Sequence, residues 1–281
     1  MSAVPADSGA VARSWLFVPG NRPERFAKAM ASGADAVILD LEDAVAPADK
    51  LVAREAVAAW LSPDRPVYLR INAADTEWFA SDLDLVAHPG VAGVVLPKAE
   101  AADVLAQVAV RLAPAAVLLP LVETAFGVAR AETLAAQPRV LRLMFGTIDF
   151  QLDLGIDGEG EELAFFRSKL VLASRLAGAQ PPIDGVTTAI RDLDRLQADT
   201  QRARRMGFGG KLCIHPDQIA TVNLAFAPSD EELAWARKVV EAAGAADGAA
   251  VAVDGKMVDR PVLLRAQRMI AEAARRTQLT T

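Results

Sequence analysis

Cysteine and histidine are nearly absent from this 281-residue chain, which holds one Cys, Cys213, and two His, His88 and His215. A single thiol excludes an intramolecular disulfide and any Cys-rich zinc cage, and two histidines are too few for a transition-metal cage. Apolar runs of the roughly 18 residues needed to cross a bilayer are also missing. So is an excess of positive charge: the net charge of -6 and pI near 5.1 leave no basic face for nucleic acid or anionic lipid, although a local basic pocket for a phosphorylated ligand stays open. Residues 1–12 lack the basic start and apolar core of a secretory signal and read as a disordered leader. These absences lead to the expectation of a soluble, cytoplasmic protein with neither a nucleic-acid nor a membrane partner.

What is present is a hydrophobic fraction of 52%, ample for a large core, with an ordinary 23% of charged residues. Short apolar runs alternate with longer amphipathic stretches, the pattern of βα units around a parallel sheet. Strands are expected at about 14–18, 36–40, 67–71, 93–97, 116–122, 141–148, 182–184 and 210–214. Helix-like spacing covers Pro23 to Ser32, Lys50 to Leu61, Ala101 to Leu112 and Leu163 to Leu176. Eight strands suggest a closed (β/α)8 barrel over residues 13–228. Beyond it, residues 229–281 read as an extension: a helix opening at Ser229 or Asp230, a hairpin turning at Asp254-Gly255, and a last helix from Pro261 to about Arg275.

Two acids end two of the apolar runs, Glu123 after Leu118 to Val122 and Asp149 after Leu141 to Ile148. Residues at strand C-termini face the mouth of a barrel, and two carboxylates from adjacent strands suffice for Mg²⁺ with water positions left open. Helix capping or a loop charge would explain the same acids. Arg70, inside Val67 to Asn72, must pair with an acid or face a cavity, where its fork suits a carboxylate or an enolate oxygen. Asp40, Glu42 and Asp43 stand close to one another and are its possible partners; three crowded carboxylates need a cation or solvent, or hold a raised pKa that serves proton transfer. Phe17 to Pro23 reads as a strand, a tight turn and a helix N-terminus able to receive an anion. Cys213, between Leu212 and Ile214, reads as a packed thiol.

An ordered set of segments resembles a known family. Arg13 to Gly20, Ile38 to Val45, Leu69 to Asn72, Leu96-Pro97-Lys98, Val122-Glu123-Thr124, Phe145 to Asp149, Gly209 to Ile219 and Gly255 to Asp259 together resemble the β-subunit-like citrate lyases. These form a branch of the HpcH/HpaI aldolase superfamily that includes malyl-CoA and citramalyl-CoA lyases. The resemblance implies a TIM barrel with a C-terminal helical and hairpin lid, Mg²⁺ on Glu123 and Asp149, and Arg70 on the substrate's oxygens. It implies CoA thioesters and 2-oxo acids as partners, with Asn21, Arg22 and Lys28 near the nucleotide phosphates and Ile214 and His215 beside the substrate. It also implies that the lid covers a neighbouring subunit's site in a homotrimer and supplies an acid, Asp259. From the crowded acidic loop, Asp43 is added to the expected catalytic set. The activity expected is reversible cleavage of a 3-hydroxy-acyl-CoA. Aldol or decarboxylase chemistry on free acids, or a subunit active only with partner proteins, stay open beside it.

Overall fold

Eight short runs rich in Val, Ile and Leu pair in chain order and close on themselves in the computed structural model, which describes residues 8–245 and 250–279. They are β1 Ser14–Pro19, β2 Ala36–Asp40, β3 Val67–Arg70, β4 Val91–Leu96, β5 Val117–Val122, β6 Met144–Phe145, β7 Ile183–Asp184 and β8 Gly210–Cys213. Every pairing is parallel, and β8 returns to β1 through Ser14 opposite Lys211. With helices between successive strands, this is the TIM barrel that the alternation of apolar runs and amphipathic segments leads one to expect.

Both faces of such strands are buried, which is why they read as near-continuous apolar runs. Successive side chains point to opposite faces, so one strand feeds two cores. Trp15, Ile38, Tyr68, Leu119, Leu121, Met144, Ile183 and Leu212 belong to one buried cluster. Their strand neighbours Leu16, Val37, Leu39, Leu69, Leu118, Phe145 and Cys213 belong to a second, shared with helix residues such as Ala53, Val57 and Leu105. Cys213 is therefore a packed thiol, and burial pushes its pKa up to about 12.

Three expectations need correction. The sixth strand does not run to residue 148: it stops at Phe145, and a helix occupies Thr147–Leu154, so Asp149 lies in that helix's first turn. The seventh strand begins at Ile183 rather than 182. Of the expected leader, residues 1–7 lie outside the described residues, whereas Ser8–Val11 forms a helical turn.

That turn is held at the barrel's N-terminal end by Arg142. Its guanidinium is wholly buried, donating to the carbonyls of Ala12 at 2.7 Å, Gly9 at 3.3 Å and Pro181 at 2.7 Å. Burial lowers its pKa to about 10. Replacing Arg142 by Met would leave the Ala12 carbonyl with the Trp15 indole N–H at 3.2 Å but deprive those of Gly9 and Pro181 of this donor, at about 1–3 kcal/mol for each one left unsatisfied. Denaturant unfolding of Arg142→Met should accordingly show a loss of about 3 kcal/mol.

The chain divides into two compact units, Met1–Phe226 and Ala227–Thr281. The second is built on helix Asp230–Ala245, the antiparallel pair β9 Val251–Val253 and β10 Lys256–Val258, and helix Arg260–Leu279. Ser229 and Glu232 form a reciprocal capping box: the Glu232 amide donates to Ser229 Oγ at 3.1 Å and the Ser229 amide to Glu232 Oε2 at 2.9 Å. Asp254 and Gly255 turn the hairpin with φ of 49° and 75°, the pair of positive angles that a two-residue turn of this hand requires. Among the described residues no helix is long and apolar enough to cross a membrane.

Candidate active site

The register of β2 against β3 places Asp40 opposite Arg70, both at the C-terminal ends of their strands. Arg70 meets Asp40 in a two-pronged pair, Nε to Oδ1 at 2.7 Å and Nη2 to Oδ2 at 2.6 Å. Its Nη1 lies 2.9 Å from Glu42 Oε2 and 3.6 Å from Asp43 Oδ2. The Phe17 ring packs against the guanidinium at 4.7 Å. Burial would pull the Arg70 pKa down, but Asp40, Glu42 and Asp43 together outweigh it and raise it. The salt bridge and the cavity-facing role are thus both realised: Arg70 is held by three acids and still lines the cavity at the barrel mouth.

The acidic loop is fixed from behind. Asp40 accepts from the amides of Glu42 and Ala44. Buried Lys50 donates to the carbonyls of Leu41 and Glu42 at 2.7 and 2.8 Å and to Asn72 Oδ1 at 2.6 Å. Asn72 is anchored by Asp82, which also accepts from Arg54. A loop with three carboxylates in four residues is stable here because cations and amides meet them from several sides.

Glu123, directly after β5, is almost completely buried, and its Oε1 accepts a 2.6 Å bond from the Lys98 amide. Burial, then repulsion from Glu42 and Asp149, raise its pKa to about 8. Glu42 is pushed up to about 7, chiefly by burial. Asp149 is raised as well, first by burial and then by Asp43. These acids, with Phe17, Arg70, Leu121, Phe145, Thr147, Leu212 and Ile214, line or adjoin a cavity of about 360 Å³, at the small end of ligand sites.

Among the described residues, no three His, Cys, Asp or Glu side chains converge as a closed metal cage. The donor set fits a more open arrangement. Glu123 and Asp149 offer two oxygen ligands in surplus negative charge, since Arg70 is already shared by three other acids. A hard cation that keeps several waters suits such a pair, and a soft one does not.

The remaining expected residues are placed less centrally. Ile214 lines the cavity, but His215 does not: its Nδ1 accepts from the Asp217 amide at 3.2 Å and caps the turn that follows. Asn21 donates to Asp49 and Arg22 to Glu24, while Lys28 stands exposed on helix Phe26–Met30. Asp259 caps helix Arg260–Leu279 in the second unit, accepting from the Val262 amide at 3.3 Å. The contacts that Phe17, Lys50 and Lys98 make at the site are not readable from the sequence. Lys50 looks like an ordinary surface lysine until the fold brings two carbonyls and the Asn72 side-chain oxygen to it, whereas Lys98 keeps an exposed side chain and enters the site through its backbone amide.

Residues 13–216 match the HpcH/HpaI aldolase/citrate lyase family. A citrate lyase subunit beta-like protein of Mycobacterium tuberculosis is 44% identical over 94% of this chain and 96% of its own length. A (3S)-malyl-CoA thioesterase of Cereibacter sphaeroides is 36% identical over 93% of this chain and 94% of its own. Among solved structures, CitE of M. tuberculosis in complex with magnesium, acetoacetate and coenzyme A superimposes with a TM-score of 0.84 at 40% identity, covering 94% of this chain and 99% of that one. The chain therefore belongs to the HpcH/HpaI aldolase/citrate lyase family and is an enzyme of its carbon–carbon lyase type.

Proposed function

We propose that the protein cleaves, and in reverse forms, a 3-hydroxy-acyl-CoA whose 3-carbon also bears a carboxylate, such as malyl-CoA or citramalyl-CoA. The products are a 2-oxo acid and acetyl-CoA. The observation that carries this reading is the convergence of Glu123, Asp149 and the thrice-paired Arg70 on one cavity at the barrel mouth. Support comes from a relative named for malyl-CoA and from a structural neighbour holding magnesium, an oxo acid and coenzyme A.

Glu123 and Asp149 would hold Mg²⁺, which when bound supplies a Lewis acid toward the hydroxyl and carboxylate oxygens of the hydroxy-acid end. Asp43, at the solvent edge of the acidic loop, takes the hydroxyl proton as the C2–C3 bond breaks. The electron pair of that bond moves onto the thioester carbonyl as an enolate, whose oxygen Arg70 faces with a guanidinium already fixed in place. Asp259, from the lid of a neighbouring subunit in a trimer, returns a proton to C2 and completes acetyl-CoA. Asn21, Arg22 and Lys28 after β1 would meet the nucleotide phosphates.

A second reading, thioester hydrolysis, is favoured by the thioesterase name of that 36% identical relative. A panel of malyl-CoA, citramalyl-CoA and the corresponding free acids, with Mg²⁺, tests the assignment. Release of acetyl-CoA and a 2-oxo acid supports cleavage, whereas malate with free CoA supports hydrolysis. Turnover of free acids alone would show a class II aldolase or decarboxylase, and silence rescued by added partner proteins a citryl-lyase subunit; either would overturn the CoA-ester reading.

A further inference from the structure

We infer that Lys98 and Gly146 are positioning residues that clamp Glu123 from two sides, Lys98 through its backbone rather than its ammonium group. The inference rests on the reading of Glu123 as a cation ligand and extends it to two residues outside the ligand set. Lys98 has φ of 46°, in the left-handed region that a non-glycine residue enters only at a cost of about 1 kcal/mol or more. It follows β4 and Pro97, and in that conformation its N–H points at Glu123 Oε1 from 2.6 Å. Its side chain, by contrast, is exposed.

Gly146 is the opposite wall. A Cβ built there would stand 2.6 Å from Glu123 Oε2 and 2.7 Å from Glu123 Cβ. Only glycine lets the backbone between β6 and helix Thr147–Leu154 pass so close to the carboxylate, and the same helix carries Asp149 in its first turn. One oxygen of Glu123 is thus fixed by a hydrogen bond, and the other sits in space that only glycine at position 146 leaves open, without either feature using a charged partner. Groups that orient a ligand in this way are commonly worth about 10–100-fold in metal affinity.

The test separates backbone from ammonium. Mn²⁺ binding is measured by electron paramagnetic resonance on the full chain, with thermal unfolding run alongside. Lys98→Gly loses the ammonium but adopts positive φ freely, so it should bind Mn²⁺ within about threefold of wild type, far inside the loss expected of a displaced ligand. Lys98→Val also loses the ammonium, and its β-branched side chain resists positive φ, so affinity should fall about tenfold or more. Gly146→Ala should lose a similar factor and gives a second readout if Lys98→Val does not fold. Equal losses in the glycine and valine variants would overturn the backbone role in favour of the ammonium. Unchanged affinity in Lys98→Val or Gly146→Ala would overturn the clamp. Absence of Mn²⁺ binding by the wild type would instead overturn the cation reading of Glu123 itself.

Discussion

Glu123→Gln should lose cleavage activity by about three orders of magnitude, the scale of several kcal/mol of transition-state stabilisation, while making the cation-free protein more stable at alkaline pH. Glutamine keeps an oxygen for the Lys98 amide and fills the same space, but it surrenders the negative charge. In the wild type that charge is costly: the folded-state pKa of about 8 lies well above the ordinary 4.5, chiefly because the carboxyl is buried. Below pH 4.5 the folded and unfolded chains both hold the proton and the site contributes no pH dependence. Between 4.5 and 8 the native state retains a proton that the unfolded chain releases, so stability falls as pH rises. By about pH 9 the accumulated cost is on the order of 5 kcal/mol, since a tenfold change in proton affinity is worth about 1.4 kcal/mol. Denaturant unfolding of wild type and Glu123→Gln at about pH 4 and pH 9, without divalent cation, should show the variant gaining at the higher pH relative to the lower. Parallel pH dependences would sink the assignment of that cost to Glu123. Saturating Mg²⁺ should then raise the wild-type Tm and leave the variant's nearly unmoved, because only a ligand that binds the native state stabilises it.

The barrel is legible in the chain because parallel strands covered on both faces must be apolar throughout, and helices covering them must be amphipathic. The expected strand at 141–148 shows where that signal fails. Leu141 to Ile148 is largely apolar, but the run crosses a change of structure at Gly146, and a helix whose first turn is partly buried there is as apolar as a strand. Asp149 is accordingly identifiable as a mouth residue while its element is not. The acids around Arg70 are visible as candidates, yet which of them pairs is decided by the β2–β3 register, and the structure answers with all three. His215 is expected beside the substrate only through the family resemblance; locally, it caps the turn that Pro216 and Asp217 open. Lys98 is invisible because positive φ in a lysine leaves no mark on composition. The helical turn at Ser8–Val11 is hidden in the same way: its small residues carry no periodicity, and Arg142, which holds the segment, is 130 positions from Ala12.

Arg70→Met should cost about 3–5 kcal/mol of stability together with most of the activity, the reverse of the stability effect expected for Glu123→Gln at high pH. Asp40 is completely buried and meets two prongs of the guanidinium. Remove the arginine and Asp40 retains only the amides of Glu42 and Ala44, too little to balance a desolvated carboxylate. Glu42, already at about 7 with Arg70 beside it, would be driven further toward the protonated form. Arg70→Lys should rescue little, because an ammonium group cannot meet both oxygens of Asp40 and reach Glu42 at once. The double variant Asp40→Asn, Arg70→Met separates the two losses. With the buried charge gone along with its partner, much of the stability should return, and the double-mutant cycle should show a coupling of about 1–3 kcal/mol. Activity should not return, since the enolate oxygen would still face no guanidinium, a deficit of about 10²–10³-fold for a lost oxyanion donor. Strictly additive stability losses would mean that Asp40 and Arg70 are not an energetic unit. Activity restored in the double variant would mean that Arg70 serves only to hold the acidic loop in place.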